Sequence, residues 1–335
     1  MRVIDIHSHF FPKNWENLAK KFGGEDWPWL RHSTQKCNDY NKAMLMQGCR
    51  EFRPIYAACW DANVRLEEMD RDGVDQQIIS ATPILFAYER PVKQALYCAQ
   101  LFNDAALEIC VQGQERLFAL AQVPLQDLDA SCQEVSRAKA NGHVGVQIGN
   151  HVGLKNMDDE AVLDFLQHCS DQDIPVFVHP WDMMAQERTA NYMMGWTVGM
   201  PAETQLSIVS MILGGGFDRL SKNLKICFAH GGGSFAFLLG RLENAWIHRD
   251  IARGKSQHPP SHYLDRFYLD SAVFDHDALD LLVKKMGSDR LMFGSDYPFP
   301  LGEQPMGHLV DTSPSLDRHS KQQILAENAA HFFTL

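Results

Sequence analysis

The sequence has no C-x-x-C pair and no paired Cys/His spacing of the zinc-knuckle kind, so its eight cysteines (37, 49, 59, 98, 110, 132, 169 and 227) predict neither a redox motif nor a structural zinc site. They are scattered through a chain whose start, MRVIDIHSHFF, lacks a signal-peptide pattern, so free thiols in a cytoplasmic protein are expected rather than disulfides. No apolar stretch approaches the roughly 20 residues that cross a bilayer, which excludes a spanning helix. No basic run interrupts a formal net charge of -11, and such a surface repels nucleic acid and anionic membranes; an anionic substrate has to be met by local arginines. Internal repeats and low-complexity tracts are also missing, and 45% hydrophobic residues are enough to bury a large core.

What is present is a recurrence of short, β-branched apolar runs separated by helical segments, the pattern of parallel strands joined by crossover helices. Strands are expected near residues 2–7, 74–81, 117–123, 143–149, 174–179, 224–230, 266–272 and 290–296. About eight such units close a barrel, so the expected fold class is α/β, a (β/α)₈ TIM barrel forming one domain over residues 1–335. Helix punctuation agrees: Asp127 or Asp129 before a run ending at Gly142, Pro201 opening PAETQLSIVSMIL, and Asp275 capping a run that stops at Gly287. Residues 10–61 are too long for a βα loop and rich in Trp, Asn, Gly and charge; they read as a small insertion after strand 1, over the barrel mouth.

In such a barrel the chemistry sits where the C-terminal strand ends converge. His7 and His9 end the first predicted strand, His179 the fifth, His230 the sixth and Asp296 the eighth. A spacing of two puts the His7 and His9 side chains on one face of an extended segment, within reach of one ion. With His179 and Asp296 they supply three nitrogens and a carboxylate, a donor set suited to Zn²⁺ and acceptable to other first-row divalent ions. The fourth strand end, GVQIGNH, has no lysine to form a carbamate bridge, which favours one metal over two. With four ligands named, His230 is assigned to proton transfer beside the metal, and the glycines that follow it allow close backbone approach to a ligand.

The blocks DIHSHFFP, FRPIYAACWD, AQVPLQDLD, FVHPWDM, GMPAET, CFAHGGGSFAFLLGR and GSDYPFPLGE span nearly the whole chain. Together they resemble the 2-amino-3-carboxymuconate-6-semialdehyde decarboxylase family of the amidohydrolase superfamily. The resemblance implies a barrel of the amidohydrolase type and non-oxidative loss of CO₂ from a semialdehyde formed in tryptophan (kynurenine) breakdown, or in 2-nitrobenzoate degradation in some bacteria. It implies one Zn²⁺ per subunit at the four ligands named, no PLP, thiamine or O₂, and His230 as acid/base. It further implies a homodimer in which Arg53 and, from the neighbouring subunit, Arg241 bind the dicarboxylate substrate, with Trp196 and Phe299 lining the pocket. The alternatives are decarboxylation of an aromatic acid such as a dihydroxybenzoate or carboxyvanillate, a metal-dependent hydrolase, and a metal-stabilised binding protein without turnover.

Overall fold

The computed structural model describes residues 2–33 and 42–335. Cys37 and part of the 10–61 segment lie outside the described residues; the other seven cysteines are free thiols. Eleven strands are described: β1 (Ile4–Phe10), β2 (Pro28–His32), β3 (Lys42–Gln47), β4 (Arg50–Tyr56), β5 (Gln76–Ala81), β6 (Leu117–Ala121), β7 (Gly145–Gly149), β8 (Val176–His179), β9 (Ile226–Phe228), β10 (Tyr268–Asp270) and β11 (Leu291–Met292).

Eight of them form one sheet in the order β1-β5-β6-β7-β8-β9-β10-β11, parallel at every pairing. The ends of that sheet meet. Ile6 N–H donates to the Phe293 carbonyl (2.9 Å), His9 N–H to Tyr297 (2.7 Å) and Asp296 N–H to His7 (2.9 Å), which brings the last strand against the first. The eight sheet strands fall inside or across the eight runs read from the sequence, and a (β/α)₈ barrel results.

The helices start and stop where local chemistry directs them. Asp127 caps Leu128–Asn141 by accepting from Ala130 N–H, and Gly142 ends that helix in the left-handed region. Asp275 caps His276–Met286 through Ala278 N–H. Pro201 sits at the start of Met200–Leu213, immediately after the π-helical turn Gly195–Gly199 from which that helix continues. At the C-terminus, Ala329, Phe332 and Phe333 pack with Ile4, Ile6 and Phe177 in a core of their own. No described helix is long and apolar enough to cross a membrane.

Within residues 10–61 the chain forms a three-stranded antiparallel sheet, β2-β3-β4. The sequence reading placed no strand there. The sheet is only half-buried, and Pro28 and Pro54 interrupt the apolar alternation by which a strand is recognised. It ends beside the first barrel strand: Phe11 N–H donates to the Cys59 carbonyl at 2.9 Å.

Candidate active site

β1 is buried along its whole length, yet it carries Asp5, His7, Ser8 and His9 among its seven residues. Such a strand is viable only if each polar group has a partner. Asp5 accepts from His7 N–H (3.1 Å), Ser295 N–H (3.0 Å), Ser295 Oγ (2.6 Å) and Gln77 Nε2 (2.8 Å), tying the first barrel strand to the last. Arg65, also buried, donates to Ser8 Oγ, Gln77 and the His9 carbonyl. Between Asp5 and Ser8 the register against β5 shifts, and this held irregularity is where His7 sits.

The strand ends then converge as expected. His7 and His9 ring centroids lie 5.1 Å apart, His9 and His179 4.9 Å, His7 and His179 5.1 Å. His230 is 5.0 Å from both His7 and His179. His7 Nε2 is 3.5 Å and His9 Nε2 3.2 Å from Asp296 Oδ1, while His230 Nε2 is 3.8 Å from the other oxygen, Oδ2. One ligating atom each from His7, His179, His230 and Asp296 can be chosen so that all lie within 4.8 Å of one another.

The ring orientations are set from behind. His7 Nδ1 donates to Asp270 at 2.6 Å and His179 Nδ1 donates to the Pro180 carbonyl at 2.8 Å. That leaves His7 Nε2 and His179 Nε2 buried without a hydrogen-bond partner, as are both ring nitrogens of His230. Buried unpartnered nitrogens are rare because each costs on the order of 1–3 kcal/mol. Several facing one carboxylate fit a divalent metal, which needs deprotonated imidazole and carboxylate donors.

The electrostatics lead the same way. Burial, then the charges of His9, His230 and His7, hold the His179 imidazole well below its ordinary pKa. Burial also brings His9 down to about 4, with Asp296 opposing. Burial alone would lift the Asp296 carboxyl, but the His230 and His9 rings and the charge of His7 outweigh it and keep the group ionised. Neutral His9 and His179 beside an ionised Asp296 are protonation states that suit a metal. His7 goes the other way: burial would lower its pKa, but the Asp270 carboxylate outweighs burial and lifts it above the ordinary value.

Two of these residues sit in strained backbone, His230 at φ 55° and Asp296 at φ 59°. The glycines after His230 are crowded by the protein itself. A Cβ at Gly231 would meet Val273 Cγ1 at 2.4 Å and one at Gly233 would meet the Pro201 carbonyl at 2.0 Å, so they make room for neighbouring protein.

The site opens into a cavity of about 720 Å³ that includes His9, His179, Asp296, Arg53, Trp196 and Phe299 in its wall. The Arg53 guanidinium lies 3.9 Å from the Phe299 ring centre and 5.5 Å from that of Phe52. Its Nε is buried without a hydrogen-bond partner, and no carboxylate among the described residues forms an ion pair with it. Trp196 lies in a one-turn π-helix, Gly195–Gly199, 6.3 Å from Phe52, and Phe299 lies 5.5 Å from the His9 ring. Arg241 is elsewhere: it is exposed on the helix Phe235–His248 and does not line this cavity. The sequence reading missed Asp270, although YLDSA places an acid at a barrel strand end just as GSD does.

Comparison with known proteins covers the chain almost fully. A family model described as amidohydrolase matches residues 4–335. The chain is 41% identical over 334 residues to 2-amino-3-carboxymuconate-6-semialdehyde decarboxylase of Dictyostelium discoideum, covering 99% of this chain and 91% of that protein. It is 48% identical over 239 residues to the Sus scrofa protein of the same name, covering 71% and 86%. Among solved structures, 5-carboxyvanillate decarboxylase from Sphingomonas paucimobilis superposes with a TM-score of 0.82 at 22% identity, covering 100% of this chain and 99% of that one.

Proposed function

The chain belongs to the amidohydrolase family, and from that premise we propose that it is a metal-dependent decarboxylase converting 2-amino-3-carboxymuconate 6-semialdehyde to 2-aminomuconate 6-semialdehyde and CO₂. The observation that carries this reading is the pairing of two features in one neighbourhood: unpartnered imidazole nitrogens around Asp296, and an unpaired Arg53 in the wall of the adjoining cavity.

We assign zinc, one ion per subunit, to His7, His9, His179 and Asp296. Ligand atoms about 2.0–2.1 Å from a tetrahedral ion stand roughly 3.4 Å from one another. The separations of His7 (3.5 Å) and His9 (3.2 Å) from Asp296 Oδ1 match that figure, whereas His230 faces Oδ2 at 3.8 Å. When bound, a divalent ion supplies Lewis acidity and lowers the pKa of water toward neutrality. The residues of the chain do the rest. Arg53 holds a substrate carboxylate through its planar fork, and the aromatic walls of Phe299 and Trp196 confine the flat conjugated chain. Exchanging a carboxylate for hydrogen requires one proton delivered to carbon as CO₂ leaves, and His230, whose two ring nitrogens make no hydrogen bond within the protein, is assigned to move it. A panel comparing CO₂ release from this semialdehyde, from 2,6-dihydroxybenzoate and from 5-carboxyvanillate tests the substrate; release from an aromatic acid alone overturns it.

The second carboxylate-binding group is assigned to Arg241 of a second copy in a homodimer. Its own cavity excludes it, and its helix also exposes Phe237 (77%) and Ile247 (54%), apolar surface that a partner would cover. In a two-fold dimer the two sites are built alike. Arg53→Ala and Arg241→Ala homodimers are therefore each expected to be nearly inactive. Mixing equal amounts under subunit exchange makes about half the dimers hybrid, and one site in each hybrid has both arginines, so roughly a quarter of all sites recover. No recovery despite verified hybrids means that both arginines act within one chain or that one is not at the site.

A further inference from the structure

The geometry points to Asp270 as a positioning residue that fixes both the metal-facing orientation of His7 and the backbone that presents His230. Asp270 is fully buried at the end of β10, the seventh barrel strand, and divides its two oxygens between two tasks. Oδ2 accepts the His7 Nδ1 proton at 2.6 Å, so that Nε2 is the nitrogen left facing the cluster. Oδ1 accepts from Gly231 N–H at 2.8 Å and from Ala272 N–H at 3.1 Å. Gly231 directly follows His230, whose ring has no hydrogen-bond partner of its own. The direction of that ring is consequently set through its main chain, which turns left-handed from His230 (φ 55°) through Gly231 (59°), Gly232 (72°) and Gly233 (62°).

Gly294, just after β11, is shaped to this pair. A Cβ there would lie 2.7 Å from His7 Cβ and 3.0 Å from Asp270 Cβ, so only glycine lets the two approach. One carboxylate thus holds the first barrel strand and the turn after the sixth in fixed relation to each other. Partners of metal-bound histidines typically raise ligand basicity and fix the tautomer, and their loss costs about 10- to 100-fold in metal affinity.

Asp270→Asn is the informative substitution because it keeps the size and removes one acceptor. If the amide oxygen retains Gly231 and Ala272, the amide NH₂ faces His7 Nδ1 and must donate to it, which moves the ring proton to Nε2 and blocks that nitrogen. If the amide turns over, its NH₂ opposes two backbone donors instead. The inference rests on the metal site proposed above, so its primary readout is metal affinity rather than turnover. In the first orientation zinc affinity of Asp270→Asn, measured by competition with a chromophoric chelator, is expected to fall about 10- to 100-fold while the metal-free variant keeps the wild-type circular dichroism spectrum. In the second orientation the amide oxygen still accepts from His7, zinc affinity is kept, and with saturating metal kcat is expected to fall with KM nearly unchanged, the signature of a displaced His230. Wild-type affinity and wild-type kcat in the folded variant overturn the inference.

A second measurement covers a variant that does not fold. In wild-type protein labelled with ¹⁵N-histidine, metal-free, a long-range ¹H–¹⁵N correlation spectrum is expected to show His7 protonated at Nδ1 with a strongly downfield proton; an unprotonated Nδ1 overturns the inference. Failure of wild-type protein to bind zinc would instead remove the metal reading, and the nitrogen spectrum would still decide the role of Asp270.

Discussion

His179→Ala and Asp296→Ala are each expected to purify with far less than one metal ion per subunit and to show no turnover above background. Donor count sets the outcome. His179 Nε2 and Asp296 Oδ1 are two of the four donors proposed, and a site that has lost one donor leaves the others with an uncompensated cost that metal binding formerly offset. Neither side chain holds the barrel together. The His179 ring makes a single hydrogen bond, to the Pro180 carbonyl beside it, and the core around Phe177 and Phe228 is untouched by its removal. Elemental analysis of the purified variants, with circular dichroism as the control for folding, is the measurement. Stoichiometric metal with full turnover in either variant removes that residue from the ligand set.

His230→Ala is expected to behave differently: it keeps its metal and loses turnover by a factor on the order of 10² or more. The distinction matters because His230 can be grouped with His7, His179 and Asp296 within 4.8 Å, so proximity alone permits it to be a ligand. Its longer separation from Asp296, and on the oxygen that does not serve His7 and His9, argues for the proton-transfer role. Metal retention is the decisive observation. A variant that purifies metal-free moves His230 into the coordination sphere and makes His9 the residue to re-examine.

The eight barrel strands and the residues at their ends were legible because both signals are local. A buried parallel strand is a short apolar run, and a histidine or aspartate closing such a run is visible without knowledge of the fold. β2, β3 and β4 were not legible, since a half-buried sheet containing Pro28 and Pro54 lacks clean alternation. Arg53 and Arg241 had no local signal and came from resemblance alone. What singles out Arg53 in three dimensions is the absence of an ion-pair partner beside Phe299, a property that no spacing encodes. Asp270 was available to the argument that found Asp296, but its partner His7 lies 263 residues away, and only the closed barrel brings them together.

The most direct test of the decarboxylase reading is to generate the semialdehyde in place by oxidising 3-hydroxyanthranilate with its dioxygenase, then follow the loss of its absorbance on adding zinc-loaded protein. The expected result is a decay rate proportional to protein concentration, one CO₂ released per substrate, and a return to the uncatalysed rate in metal-stripped protein. Decay at the uncatalysed rate in the presence of folded, zinc-loaded protein would contradict it.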